Sequence, residues 1–354
     1  MRDLDIIEDI KAVDKSNMLG ILMGFADQYE TEAEESRKFN IPESYREIKN
    51  VVISGMGGSA IGGDLLRTLF SDDCPIPVMV NRDYDVPAFV DKSTLFIAAS
   101  YSGNTEETVS ALDKASGKGA KIIIVSGGGK LQQKSEELGL PFYEIKQKGL
   151  QPRCAFGYMF TPLVFFLSKL GLIADQSRNF NETIGIISRS ALELAPEIPS
   201  RANLAKRLAH AFYGRLPIIY APQKHFDVVA MRWKGQINEN GKAMAFYNTI
   251  PEMNHNEIVG WGIPLDIAGK RTIVMLAHKE VSERIRIRIN VASNLIANTD
   301  GQVIGIEAKG GSLLAKALYL IYLGDFASYY LATLNNVDPT PIDRISILKT
   351  ILDK

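Results

Sequence analysis

Two short stretches of this sequence bring together residues suited to holding an anion. The first, Ser54-Gly55-Met56-Gly57-Gly58-Ser59-Ala60-Ile61-Gly62-Gly63-Asp64, follows the apolar run Val51-Val52-Ile53. Glycines let a backbone turn sharply and let main-chain N–H groups approach an anion, while the helix that follows offers its positive end. The second, Ser100-Tyr101-Ser102-Gly103-Asn104-Thr105-Glu106-Glu107-Thr108, puts three aliphatic hydroxyls (Ser100, Ser102 and Thr105) within six residues at the start of a helical pattern. That is a neutral cradle for a phosphate, in which the helix dipole attracts without Lys or Arg. Each stretch has a plainer reading: a tight strand-to-helix turn for the glycines, simple capping groups for Thr105 and Thr108. Side by side, they favour the phosphate site. The first also fits a Gly-rich dinucleotide fingerprint superficially, but Asn81 and Arg82 follow the next apolar segment where an acid is needed, with Asp83 beyond.

Both loops need a rigid frame. Five short apolar segments supply its strands: Val51-Val52-Ile53, Ile76-Pro77-Val78-Met79-Val80, Leu95-Phe96-Ile97-Ala98-Ala99, Ile122-Ile123-Ile124-Val125 and Pro141-Phe142-Tyr143-Glu144-Ile145. The first, third and fourth lead into Gly/Ser-rich turns and then helix-like sequence. Continuous apolar strands alternating with helices predict a doubly wound α/β sandwich, a parallel sheet covered on both faces. In such a sheet both loops emerge at the carboxyl edge, where ligands bind. The first 48 residues read as helical, interrupted at Pro42-Glu43, and from about Gln151 to Ser200 the pattern is again mostly helical. After Pro196-Glu197-Ile198-Pro199 the α/β rhythm resumes, with strands expected over residues 216–220, 271–276 and 303–307. Helices are expected near 228–238, 281–296 and 313–334, although Ile285-Arg286-Ile287-Arg288-Ile289 alternates like a strand. The predicted organisation is an N-terminal domain over 1–155 carrying the phosphate loops, a helical connector over 156–200, and a similar C-terminal domain over 201–354.

The length of 354 residues suits two domains. Lys and Arg number 40 against 41 Asp and Glu, leaving −1, with 46% hydrophobic and 23% charged residues. These values exclude a disordered chain and offer no basic excess for nucleic acid. Two cysteines, Cys74 and Cys154, and four histidines, His210, His225, His255 and His278, are too few for a disulfide framework or a Cys/His metal centre. The N-terminus MRDLDIIEDIKAVDKSNML carries acids where a signal peptide needs a basic then apolar run, and the longest apolar stretches are too short to span a bilayer. A cytoplasmic protein without a membrane partner is expected.

Taken together, SGMGGSAIGGDL and SYSGNTEET resemble the sugar isomerase (SIS) domain, which holds phosphosugars by such a Ser/Thr loop. Pro152-Arg153-Cys154-Ala155-Phe156-Gly157-Tyr158, Asn238-Glu239-Asn240-Gly241-Lys242, Asn254-His255-Asn256-Glu257 and a lysine in RISILKTIL narrow the resemblance. From about residue 45 to 350 the chain resembles the bifunctional phosphoglucose/phosphomannose isomerase family, tandem SIS enzymes of the phosphoglucose isomerase superfamily. The resemblance implies two tandem SIS domains, each a flavodoxin-like, parallel-sheet αβα sandwich. It implies an aldose–ketose isomerase of glycolysis and gluconeogenesis, interconverting glucose 6-phosphate and mannose 6-phosphate with fructose 6-phosphate, with no cofactor or metal. It also implies a homodimer whose active site is shared, His255 being donated by the neighbouring chain. Carried over by position, phosphate binding falls on Gly57, Gly58, Ser59, Ser100, Ser102 and Thr105; the catalytic arginine is Arg153, the base Glu239, the ring-opening histidine His255 and the terminal catalytic lysine Lys349. A threonine linked to mannose acceptance falls on Thr340, the nearest before that lysine.

The residue types suit this chemistry. Aldose–ketose isomerisation moves a proton between C1 and C2 through a cis-enediolate, and needs one base, a cation for the developing oxyanion and an acid/base for ring opening. One carboxylate, Glu239, can serve both carbons; Arg153 is a permanent cation; His255 can exchange a proton near neutral pH, with Lys349 assisting. Singly, each has an ordinary alternative: a solvated helix end for Glu239, an ion pair for Arg153, an exposed turn for His255, a solvated helix for Lys349. Their co-occurrence favours the catalytic reading. His210, His225 and His278 read as structural, although His225 lies near a strand end of the second domain, and Arg232-Trp233-Lys234 reads as a helix surface. Three competing functions differ in class. A non-catalytic phosphosugar-sensing SIS module would lack the base; a glucosamine-phosphate amidotransferase would need a glutaminase domain with an N-terminal cysteine, where residue 2 is Arg; a nucleotide-dependent oxidoreductase would need the missing acid.

Overall fold

A computed structural model describes residues 2–263, 267 and 269–352. In chain order the elements are α1 (Ile7–Val13), α2 (Met18–Met23), α3 (Phe25–Lys38), β1 (Asn50–Ser54), α4 (Gly57–Leu69), β2 (Val78–Asn81), β3 (Thr94–Ser100), α5 (Glu106–Gly117), β4 (Lys121–Ser126), α6 (Gly129–Leu138) and β5 (Phe142–Glu144). They continue as α7 (Phe156–Lys169), α8 (Ser177–Glu193), α9 (Leu204–Phe212), β6 (Leu216–Pro222), α10 (Gln223–Glu239), β7 (Phe246–Ile250), β8 (Arg271–Ala277), α11 (Glu283–Asp300), β9 (Val303–Glu307), α12 (Leu313–Leu334) and α13 (Asp343–Leu352). The chain divides into two compact units. The first sheet unit holds Phe25–Gly185 with Ser312–Leu314; the second holds Met1–Gly24, Ile186–Gly311 and Ala315–Lys354.

In the first sheet unit all strands are parallel, in the order β2-β1-β3-β4-β5. The central strand β3, TLFIAAS, is buried along its whole length, as an unbroken apolar run in a doubly covered sheet must be. The order reverses between β1 and β3, so the loops that leave these two strands diverge over a crevice at the carboxyl edge. One face is filled by Val52, Phe96, Ala98, Ile122 and Ile124 beneath Ala111 and Leu112 of α5. On the other, α4 lies against α7, so closely that a Cβ added at Gly62 would lie 3.3 Å from Phe160 Cα.

The second sheet unit repeats this winding. Its parallel sheet runs β7-β6-β8-β9, the same sequence of positions as β2-β1-β3-β4 without a fifth strand. The expected strands and helices are all present, and the alternating segment 285–289 is helical within α11, whose Ser282 hydroxyl accepts from Ile285 N–H as an N-cap. Two elements escape the sequence pattern. The edge strand β7, FYNTI, is half exposed and mixes polar with apolar residues, and α9 is short. The long α12 is mostly apolar on every side and buried, as a central helix is, with the Asp325 carboxylate buried in its middle. The described N-terminal residues 2–24 belong here, and α12 holds them: Tyr322 Oη donates to Leu22 O at 2.8 Å and Tyr329 Oη to Asp14 Oδ2 at 3.0 Å. The Arg232-Trp233 pair is a correction to the surface reading. Both side chains are buried, Arg232 against Asp325 at 2.8 Å and Trp233 with its indole N–H on Leu320 O at 2.7 Å.

Candidate active site

The first sheet unit assembles three expected features into one frame. Ser59 lies in the first turn of α4, buried, and its Oγ accepts the backbone N–H of Tyr101 at 3.1 Å, joining the two loops. In the second loop the Ser100 and Thr105 hydroxyls bond each other at 2.8 Å, and Ser100 Oγ also accepts from Gly103 N at 3.1 Å. Gly103 has a φ of +73°, and a Cβ there would fall 1.7 Å from Gly128 O, so this turn admits only glycine. Ser102 is exposed, and its Oγ accepts from Asn104 N at 3.3 Å. Thr105 precedes α5 in extended conformation, so the start of that helix points into the loop.

Arg153 sits on the short 3-10 turn Pro152–Cys154 and is buried. That turn packs directly on the first loop. A Cβ at Gly58 would come within 2.7 Å of the Pro152 carbonyl carbon and 2.8 Å of Arg153 N. The second loop reaches the same segment through Tyr101, whose hydroxyl donates to Gln147 O at 2.9 Å and accepts from Leu150 N at 3.2 Å. Tyr101 thereby ties together the Ser59 turn, its own loop and the approach to Arg153, a role that nothing in the motif announces. Gly57, with φ +48° and open space beside it, is exposed at the head of α4. At the end of β2, Asn81 Nδ2 donates to the carbonyls of Asp83 (3.1 Å) and Asp85 (3.0 Å), and Arg82 pairs with Asp64. Asn81, Arg82 and Asp64 are thus engaged in closing the turn that follows β2.

The second sheet unit carries the remaining expected residues. Glu239 closes α10, half-buried; Asn240 behind it is buried, with its amide on Ser328 Oγ at 3.0 Å. Lys242 Nζ donates to the Glu239 carbonyl and also to Pro339 O at 3.1 Å and Pro341 O at 2.5 Å. Glu239 and the turn bearing Thr340 are thus held by one ammonium. Thr340 is half-buried, with its N–H on Asp338 Oδ1 at 2.9 Å. His255 is exposed on the 3-10 turn Glu252–His255 that follows β7. The acid of the same motif, Glu257, is engaged in structure. It accepts from Tyr220 of β6 and from Asn248 Nδ2 of β7 at 2.6 Å, and burial together with that carboxylate raises the Tyr220 phenol far above its ordinary value. Lys349 falls on α13, and its side chain lies outside the described residues.

A cavity of about 540 Å³ between α11 and the strands β8 and β9, lined in part by Lys279, Arg286, Asn290 and Glu307, includes none of the expected site residues. Among the described residues no cluster of three or more His, Cys, Asp or Glu is placed to hold a metal ion, and no helix is long and apolar enough to cross a membrane.

Paired parallel sheets, with a glycine-rich loop after the first strand and a hydroxyl-rich loop after the third, define a tandem SIS-domain protein. Family models agree: residues 44–136 match the SIS domain, and residues 201–352 match the bacterial phospho-glucose isomerase C-terminal SIS domain. The chain belongs to the bifunctional phosphoglucose/phosphomannose isomerase family. It is 47% identical to the bifunctional phosphoglucose/phosphomannose isomerase of Caldicellulosiruptor bescii, over 92% of this chain and 96% of that protein. The protein of that name from Aquifex aeolicus is 33% identical over 94% of this chain and 98% of its own length. Among solved structures, a hypothetical protein from Thermus thermophilus superposes with a TM-score of 0.75, covering 96% of this chain and 90% of that one at 16% identity, which shows the shared fold.

Proposed function

We propose that this protein interconverts glucose 6-phosphate and mannose 6-phosphate with fructose 6-phosphate through a cis-enediolate. The observation that carries the reading is the seating of the Arg153 turn against Gly58, beside two hydroxyl-bearing loops at the carboxyl edge of a parallel sheet. In this reading the phosphate binds Ser59, Ser100, Ser102 and Thr105 with the N–H groups of Gly57 and Gly58, at the starts of α4 and α5. Glu239 takes the proton from C2 of the aldose and returns it to C1. Arg153 stabilises the oxyanion that develops between them. His255 exchanges a proton with the ring oxygen to open the sugar, with Lys349 assisting. Glucose and mannose phosphates differ only at C2 and share one enediolate, so rotation about C2–C3 lets the same base serve both. Thr340 is assigned to mannose acceptance, a role supported by the carbonyls on either side of it, Pro339 O and Pro341 O, sharing Lys242 with the Glu239 carbonyl.

The reading extends to a cytoplasmic homodimer, serving glycolysis and gluconeogenesis, in which each chain lends His255 to its neighbour. The apolar side chains exposed just after His255, Val259 at 85% and Ile263 at 75%, support this part. The test is a coupled assay for fructose 6-phosphate, offering each aldose phosphate separately to the wild type and to Glu239→Gln. Turnover of both by the wild type, and of neither by the variant, is the expected result. Turnover of neither by the wild type, with phosphosugar binding intact by calorimetry, would make the chain a phosphosugar sensor.

A further inference from the structure

Helix α3 carries three buried polar residues spaced four apart: Gln28 (2% exposed), Glu32 (3%) and Ser36 (0%). Spacing by four puts them on one stripe, and burial makes each one costly unless it is hydrogen-bonded. All three are bonded, and all to one stretch of chain. Glu32 accepts from the Tyr143 hydroxyl of β5, and Ser36 Oγ donates to it at 3.2 Å. Gln28 uses both ends of its carboxamide: Nε2 donates to Cys154 O at 2.8 Å, and Oε1 accepts from Gly157 N at 3.0 Å. The stripe therefore grips residues 143–157 at both ends, and Arg153 lies in the gripped segment.

The Gln28 contact supplies what the local sequence lacks. The residue before α7 is Ala155, which has no side-chain oxygen to satisfy the first N–H groups of the helix. Gln28 caps α7 from another helix and at the same time takes the carbonyl next to Arg153. Its approach is so close that a Cβ at Gly157 would lie 2.6 Å from the Gln28 Cβ. Gly58 closes on the start of the same turn, within 2.8 Å of Arg153 N for an added Cβ. The turn is held at its start by close packing on a glycine and at its end by a carboxamide.

We propose that Gln28 is a positioning residue for Arg153, fixing through the Cys154 carbonyl and the Gly157 amide the turn from which the guanidinium projects. This rests on the reading of Arg153 as the cation at the enediolate. Gln28 lies on α3, outside both phosphate loops, so its loss acts first on the turn that carries Arg153. Displacements of about 1 Å cost on the order of a hundredfold in rate.

The test compares Gln28→Leu, Arg153→Lys and the double variant, using steady-state kinetics on glucose 6-phosphate and competitive inhibition by inorganic phosphate. Gln28→Leu is expected to lower kcat by about tenfold or more, with KM and phosphate inhibition within a factor of about three of the wild type. The double variant is expected to be no slower than Arg153→Lys, because the turn matters only through the side chain it carries. If Arg153→Lys retains full kcat, the catalytic reading of Arg153 fails and the proposal falls with it. If Arg153→Lys is slow but Gln28→Leu is not, or the two losses multiply, the positioning role alone is overturned. Gln28→Glu covers the case in which the leucine variant does not fold. Protonated, its carboxyl can donate to Cys154 O; ionised, it cannot. Its kcat relative to wild type is expected to fall as pH rises and the carboxyl ionises, and a ratio that stays near one would overturn the proposal.

Discussion

The ammonium of Lys242 donates to the backbone carbonyl of Glu239, and the same nitrogen bonds Pro339 O and Pro341 O. The last residue of α10 and the turn carrying Thr340 are therefore held in register by one side chain, itself exposed and at φ +52°. Lys242→Met removes all three bonds and keeps the aliphatic stem. Because the group is solvent-exposed, the expected loss of stability is only about 1 kcal/mol, read by urea unfolding. The effect on selectivity is expected to be larger: the ratio of mannose 6-phosphate to glucose 6-phosphate turnover shifts by about threefold or more. An unchanged ratio would count against a role for Thr340 in accepting mannose.

Gly58→Ala tests the seating of the Arg153 turn. The atoms that an added methyl would meet, Pro152 C and O and Arg153 N at 2.7–2.8 Å, are backbone and have no flexible end to give way. The turn must move. We expect kcat to fall by on the order of a hundredfold in a protein whose circular dichroism is unchanged. Full activity would show that the turn and the first loop are free to separate.

Glu32 makes the α3 stripe sensitive to pH. Burial, reinforced by Glu35 and opposed by Tyr143 and Lys146, pushes its carboxyl from an ordinary value of 4.5 up to about 7. Between those two values the folded state holds a proton that the unfolded chain has released, so stability contributed here declines as pH rises through that window and levels off above it. Glu32→Gln keeps an acceptor for Tyr143 and removes the ionisation. Chemical denaturation is expected to find the variant more stable than wild type by on the order of 2 kcal/mol at pH 8, and equal to it near pH 4.5. A constant difference across this range would contradict the assignment.

The buried pair of Arg232 and Asp325, with exposures of 3% and 1%, makes a sharper case. Asp325 also accepts from Gln236 Nε2 at 2.8 Å. Asp325→Ala takes the carboxylate away from a buried guanidinium and is expected to cost about 3–5 kcal/mol. Combining it with Arg232→Met is expected to recover much of that loss, since a buried guanidinium that has lost this carboxylate is costlier than a buried thioether. A double variant no better than Asp325→Ala would mean that the hydrogen bonds, rather than charge burial, hold α10 on α12.

By itself, the sequence was sufficient for the first sheet and for the two loops. Its central strands are continuous apolar runs, and the residues that shape the loops, Gly103 and the Ser100–Thr105 hydroxyl pair among them, are local in the chain. The second sheet was readable for the same reason, except at β7, whose half-exposed position at the sheet edge dilutes the alternation that marks a strand. Arg153, Glu239 and Thr340 are marked only by motif resemblance; composition or spacing alone leaves each of them an ordinary surface residue.

Only the tertiary structure decided how those residues are held. Gln28 reaches across 126 positions to the Arg153 turn, Lys242 across 97 to Pro339, and Arg232 across 93 to Asp325. Local sequence records the period of burial and the chemistry of a turn, because both depend on residues a few positions apart. A hydrogen bond between distant helices leaves no such trace. The partners are chosen by how the elements pack, and the glutamine or lysine involved looks, along the chain, like any other.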